Sequence, residues 1–149
     1  MEKDKLVGTL RDQSTWRLFG LSFITLGVYG AHYIKKQTLI INKELQEVNK
    51  ISDGLLNMII LFYYLSLTLL ISYYFVDYGH PLERVGDIVD LTVAVMTIIW
   101  GFKARNRMNT LLSISKKDDA WFHGFWTFVF TPFYFNYHVN CLHELKESE

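Results

Sequence analysis

Two aspartates three positions apart, Asp87 and Asp90, are candidates for a functional site. On a helix, side chains at i and i+3 share a face, so two carboxylates there could hold a cation or share a proton. Arg84 lies three residues before Asp87 and could neutralise it. The competing interpretation is a pair of solvated acids at a helix start, where the helix dipole favours negative charge. The pair is therefore a candidate ion or proton site.

A second set, His138, Cys141 and Glu144, recurs at three-residue steps and offers metal-ligand atoms on one helix face. A polar face on an interfacial C-terminal helix explains the same spacing, and we expect no metal site. The chain contains no G-x-x-x-x-G-K-[ST], G-x-S-x-G or H-E-x-x-H motif. We therefore expect a non-enzymatic protein with no catalytic residue and no cofactor.

Charge and hydrophobicity are unevenly distributed along the 149 residues. The 15 basic and 15 acidic residues cancel, which argues against a nucleic-acid partner. Leu55 to Val76 has no charged residue over 22 positions, and as a helix it would rise about 33 Å, enough to cross a bilayer core of about 30 Å. A returning span is predicted over Val85 to Phe102, with both aspartates in its first turns.

Two further apolar segments flank this pair, at residues 16–34 and 120–137. Each is long enough for a tilted span, but glycines interrupt the first and Gly124 and Pro132 interrupt the second, as in a re-entrant hairpin. The predicted fold is one all-α integral membrane domain over residues 1–149. It has two full transmembrane helices, at 55–76 and 85–102, and two kinked or re-entrant membrane segments. The alternative is four transmembrane helices.

The basic residues favour the re-entrant arrangement, since lysine and arginine accumulate on the cytoplasmic side. With two spans, fourteen of the fifteen basic residues are cytoplasmic and only Arg84 is outside; with four spans the division is nine to six. We therefore predict that both termini are cytoplasmic. Trp16, Trp100 and Trp121 would then lie at the cytoplasmic interface, and a tyrosine belt at Tyr73, Tyr74 and Tyr78 at the other.

The two interrupted segments share an approximate order of residue types, with threonine before the breaker and tyrosine after it. Small or helix-breaking residues let backbones turn and approach closely. Their predicted role is in turns and packing, and the residues concerned are Thr25, Gly27, Tyr29, Gly30, Thr131, Pro132 and Tyr134.

The run from Ile24 to Gly30, Ile-Thr-Leu-Gly-Val-Tyr-Gly, is followed by Tyr33 and by Lys35 and Lys36. It resembles the N-terminal signature of a bacterial family of small multi-pass membrane proteins classed only as a domain of unknown function. The resemblance covers about fifteen residues and implies a bacterial inner-membrane location. It implies no activity and no catalytic residue.

Two function classes follow. The first is an accessory, assembly or regulatory subunit that packs against a larger membrane complex, with the lipid bilayer and a membrane protein as partners. The alternative is a channel or transporter unit that self-associates into a homo-oligomer, because two spans alone cannot enclose a pathway. Besides tyrosine, the first span offers few polar side chains for lining a pathway, namely Asn57, Ser66, Thr68 and Ser72, which favours the accessory role.

Overall fold

The structure, a computed structural model, describes residues 2–147, and side chains over residues 3–144. Residue 1 and residues 148–149, the ends of the predicted domain, lie outside the described part. Within it the chain is all-helical, with no strand. The helices are α1 (Glu2–Leu10), α2 (Thr15–Ile24), α3 (Val28–Lys43), α4 (Asp53–Ser72), α5 (Pro81–Leu111), α6 (Gly124–Phe130) and α7 (Phe133–Glu147), with 3₁₀ turns at Glu47–Asn49 and Tyr73–Phe75.

Helices α4 and α5 form an antiparallel hairpin, and both are long and apolar enough to cross a membrane. Ser52 caps the start of α4, since its hydroxyl accepts a hydrogen bond from the Gly54 amide. The start of α5 is fixed by Pro81 in its first turn and by His80, whose Nδ1 accepts from the Leu82 amide at 3.2 Å. These capping residues explain why α5 begins four positions before the predicted Val85.

The most apolar 18-residue windows of the hairpin are mostly not covered by protein. Only 17% of the window in α4 and 33% of the window in α5 is buried. A core helix of a water-soluble domain would be mostly buried, because burial of its apolar side chains is what stabilises it. Two candidate membrane-spanning helices are therefore present, as the sequence predicts.

The flanking segments 16–34 and 120–137 are each divided into two helices. Helix α2 ends at Ile24 and α3 begins at Val28; helix α6 ends at Phe130 and α7 begins at Phe133. With 10 and 7 residues, α2 and α6 would rise about 15 Å and about 10 Å, less than a bilayer core. Neither segment forms one continuous helix.

The hydrophobic core lies at one end of the hairpin, where α1, α3 and α7 surround the start of α4 and the end of α5. Trp100 is fully buried there, and its indole N–H donates to the Thr38 hydroxyl at 2.7 Å. Trp100 therefore faces the protein core, and its level at the cytoplasmic interface stays a prediction. Its ring packs edge-on against Phe135 and fills the core, which the position of a tryptophan in the sequence does not reveal.

The other end of the hairpin and the two short helices expose apolar side chains. These include a stripe on α2, nearly the whole of α6, and the outer faces of α4 and α5. Among the most exposed are Trp16, Phe23, Ile24, Leu61, Tyr74, Phe75, Ile88, Leu91, Phe125 and Phe128. Exposed apolar side chains in this number are typical of a contact with lipid or with another protein.

Candidate functional site

The linker between α1 and α2, residues 11–14, is held by side chains from α3 and α7. We call this hydrogen-bonded set the linker clamp. Tyr29 of α3 donates from its hydroxyl to Gln13 Oε1 at 2.7 Å. One helical turn further, the hydroxyl of Tyr33 donates to Asn136 Oδ1 at 3.1 Å. Tyr33 is buried, and burial together with the nearby Asp12 raises the pKa of its hydroxyl well above the ordinary value. The phenol is therefore neutral and serves as a donor.

Asn136 of α7 is the centre of the linker clamp and is 1% exposed. Its side-chain nitrogen donates to the Gln13 carbonyl at 3.2 Å and to Thr15 Oγ1 at 3.1 Å. Asn140, one turn along α7, donates to the same carbonyl at 3.2 Å. The amide of Asn136 thus uses its oxygen for α3 and its nitrogen for the linker and the start of α2.

Gln37 of α3 completes the linker clamp from the other side. It is fully buried, and its nitrogen donates to the Leu10 carbonyl at 3.1 Å and to Asp12 Oδ1 at 3.3 Å. Lys36 forms an ion pair with the other oxygen of Asp12 at 2.6 Å. Tyr29, Tyr33 and Gln37 are spaced by four residues and therefore lie on one face of α3.

The α2–α3 turn contains the predicted turn residues Thr25, Gly27, Tyr29 and Gly30. The Thr25 hydroxyl donates to the Leu21 carbonyl at 2.8 Å and accepts from the Tyr29 amide at 2.9 Å, so it joins the two helix ends. Gly27 has a φ of +89°, and a Cβ atom there would overlap the ring of Tyr63 in α4. Glycine is therefore required by both backbone conformation and space.

The α6–α7 turn contains the predicted residues Thr131, Pro132 and Tyr134. The Thr131 hydroxyl donates to the Thr127 carbonyl, and the Tyr134 hydroxyl accepts from the His123 amide at 3.0 Å. A Cβ atom on Gly101 of α5 would lie 2.6 Å from the Thr131 methyl group, so α6 crosses α5 at very close range.

The two interrupted segments share a geometric feature. In each, a tyrosine two residues after the breaker bonds back to the chain before the first helix: Tyr29 to Gln13, and Tyr134 to His123. The aligned threonines, Thr25 and Thr131, each donate to a carbonyl four residues earlier. The segments are therefore alike in how they fold back, as well as in residue order.

Asp87 and Asp90 are the seventh and tenth residues of α5, and both are exposed. They lie in the second and third turns rather than at the helix start, because α5 begins at Pro81. Asp90 Oδ1 accepts a hydrogen bond from the Ser66 hydroxyl of α4 at 2.5 Å. Among the described side chains no ion pair joins Arg84 to Asp87. Asp90 is thus a carboxylate on the exposed face of the hairpin, held by one serine.

The second set of candidate metal ligands, His138, Cys141 and Glu144, lies on α7, where His138 has another partner. Nε2–H of His138 donates to the Ala120 carbonyl at 2.8 Å, and its ring stacks on Tyr134. No group of three or more metal-ligating side chains occurs within the described part of the chain.

Sequence reasoning missed Gln13, Gln37 and Asn136, although they form the linker clamp. The available signal was a pair of asparagines, Asn136 and Asn140, spaced for one helix face at the end of an aromatic segment. Their partner is a linker more than 120 residues away, which local spacing does not indicate.

The protein is all-helical over the described residues, with two candidate membrane-spanning helices and a buried polar network. Residues 13–110, about two thirds of the chain, match the family described as a domain of unknown function (DUF4234). The chain belongs to this family, which confirms the prediction of a family of unknown function. No curated protein and no solved structure matches the chain.

We expect Asn136→Ala to lower the free energy of unfolding by roughly 1 to 3 kcal/mol, the cost of one buried polar group, the Tyr33 hydroxyl, left without a partner. The substitution leaves the Tyr33 hydroxyl and the Gln13 carbonyl with fewer partners. Thermal or denaturant unfolding in mild detergent, followed by circular dichroism, measures the change. Asn49→Ala, at an exposed asparagine, is the control and should change little. Equal stability of the two variants would contradict the role of the linker clamp.

Stability should also fall as the pH is lowered through the titration of His138. Burial lowers the pKa of this imidazole; the Ala120 carbonyl opposes the shift, and nearby His123 adds to it. Below about pH 6.5 the unfolded chain therefore takes up a proton that the folded chain does not, and stability is lost until the pH reaches the folded-state pKa. His138→Gln should flatten this loss in melting curves from pH 7 to pH 5. His80→Asn, which keeps an N-cap on α5, should retain it.

Proposed function

We propose that the protein is an integral membrane protein whose α4–α5 hairpin crosses the bilayer, with α2 and α6 inserted part of the way. The exposed apolar windows of both hairpin helices support this, because in water they would expose a large hydrophobic surface. The short lengths of α2 and α6 support partial insertion. The α2–α3 turn lies against Tyr63, near the middle of α4, as expected for a hairpin that enters the bilayer and returns.

The proposed membrane is the bacterial inner membrane, with both termini and the hydrophobic core on the cytoplasmic side. Arg84 is the only basic residue from Gly54 to Phe102, and acidic residues surround it near the hairpin tip. The remaining fourteen basic residues all lie before or after this range. This distribution is typical of a hairpin whose tip faces away from the cytoplasm.

Cys141, the only cysteine, tests this orientation directly. We expect no labelling by a membrane-impermeant thiol reagent in intact spheroplasts, and labelling after the membrane is permeabilised. A cysteine introduced at Tyr78, which is fully exposed in the tip loop, should be labelled in both conditions. Labelling of Cys141 in intact spheroplasts would instead support the four-span alternative.

Within this membrane we propose a non-enzymatic role as an accessory, assembly or regulatory subunit of a larger membrane complex. The observation that carries the proposal is the aromatic stripe on α2. Trp16, Phe19 and Phe23 are spaced i, i+3 and i+7 and are all exposed, at 84%, 49% and 76%. Such a stripe suits packing against a helix of another protein.

Purification of the tagged chain from its own membranes in mild detergent tests this role. We expect a complex heavier than the chain that contains a second membrane protein in fixed ratio. Trp16→Ser with Phe23→Ser should reduce recovery of that protein strongly, because both side chains would leave the contact. Tyr78→Ser, at an exposed aromatic residue in the tip loop, is the matched control. Equal recovery from both variants would exclude the α2 stripe as the contact.

The alternative function, a self-associating channel or transporter unit, has one observation in its favour. Asp90 lies on the exposed face of the hairpin, and a carboxylate facing lipid is costly unless another polar group covers it. A second copy could cover it. In the same purification, a homo-oligomer without a second protein, lost on replacement of Asp87 and Asp90 by asparagine, would favour this alternative over the accessory role.

A further inference from the structure

An apolar groove lies between α6, α7 and the start of α2. It has a volume of about 380 Å³, within the range of small-molecule sites. Aromatic side chains form nearly all of its wall, and the lining residues are Thr15, Trp126, Phe130, Phe133, Tyr134 and Tyr137. Trp126, Phe130 and Tyr137 are also exposed, so the groove opens on the surface of α6 and α7. Its chemistry suits a hydrocarbon chain.

A polar cleft of about 340 Å³ lies next to this groove. Its lining residues are Arg11, Asp12, Gln13, Ser14, Asn140 and Glu144. The two spaces are neighbours along both walls: Ser14 precedes Thr15 in the chain, and Asn140 follows Tyr137 at i+3 on α7. A ligand with a polar head and an apolar tail could therefore occupy both.

The charges of the cleft select the headgroup. Arg11 supplies a guanidinium whose Nη1 lies 2.9 Å from His143 Nδ1, and the fork of N–H groups on this side chain suits a phosphate. Asp12 is paired with Lys36, whereas Glu144 lies exposed on α7. An ammonium group carries three donors and a positive charge, and so matches the exposed carboxylate of Glu144.

We propose that the groove and the cleft together bind one phospholipid with a primary-amine headgroup, of the phosphatidylethanolamine type. The phosphate lies at Arg11, the ammonium lies at Glu144, and one acyl chain fills the aromatic groove. A choline headgroup lacks N–H donors, and a glycerol headgroup lacks the positive charge. This inference rests on the proposed membrane location, since a diacyl lipid reaches the site from the bilayer.

Native mass spectrometry of the full chain in mild detergent tests the site with three lipids of identical acyl chains. We expect one phosphatidylethanolamine retained per chain, bound about tenfold more tightly than phosphatidylcholine or phosphatidylglycerol, as a charge-assisted hydrogen bond would give. Glu144→Gln should abolish the preference. Glu44→Gln, at an exposed glutamate that lines a different cleft with Lys3 and Leu6, should retain it. Thermal unfolding verifies that both variants are folded.

Fluorescence tests the acyl-chain end. Phosphatidylethanolamine with brominated chains, added near one equivalent in detergent, should quench part of the tryptophan emission, and Trp126→Phe should remove that part. Equal binding of the three lipids, or a Glu144→Gln variant that keeps the preference, would overturn the proposal.

If the protein is not a membrane protein, it would be recovered from cells without detergent. A short-chain, water-soluble phosphatidylethanolamine then tests the cleft by the same Glu144→Gln comparison, and absence of preferential binding overturns the lipid site.

Discussion

The structure depends on hydrogen bonds to two backbone carbonyls: that of Leu10 at the end of α1, which is buried, and that of Gln13 in the linker to α2, which is partly buried. The carbonyls of Leu10 and Gln13 accept their hydrogen bonds from Gln37 of α3 and from Asn136 and Asn140 of α7. A buried carbonyl without a donor costs several kcal/mol in an apolar setting, so the linker stays between α3 and α7 only while these amides reach it. The linker in turn sets the start of α2, and thereby the direction in which its aromatic stripe points.

Two kinds of packing occur at different positions along the α4–α5 hairpin. At its base, large side chains such as Trp100 and Met108 form a core of the kind found in water-soluble helical proteins. Further along, toward the tip, Gly86 of α5 leaves the space that the Tyr73 side chain occupies, so the two ends of the hairpin approach closely there. Lipid is as apolar as the side chains, so helices within it gain little from hydrophobic burial and associate by close approach. The change of packing along one hairpin is consistent with a boundary between water and lipid.

The elements with strong local signals could be predicted from the sequence. The 22 uncharged residues of Leu55 to Val76 predict a long apolar helix, and α4 with the 3₁₀ turn that follows it extends to Phe75. The breaks near Gly27 and Pro132 follow from the conformational preferences of glycine and proline. The linker clamp could not be predicted, because it joins Gln13 to Asn136 across the whole chain. Helix α1 was missed because its nine residues carry mixed charges and only a few apolar positions. The burial of Trp100 could not be predicted, because a tryptophan beside a basic stretch suits an interface as well as a core.

The family match covers only one side of the linker clamp. The matched residues, 13–110, begin at Gln13 and end near the end of α5, so α6 and α7 lie beyond the match. The α3 side of the linker clamp, Tyr29, Tyr33 and Gln37, falls within it, whereas Asn136 and Asn140 do not. The hydroxyl of the buried Tyr33 donates to an acceptor on α7, and a tyrosine of this kind needs such an acceptor wherever it is removed from water. The matched segment therefore contains one half of a polar network, and in this chain α7 supplies the other half together with three of the six lining residues of the neighbouring aromatic groove.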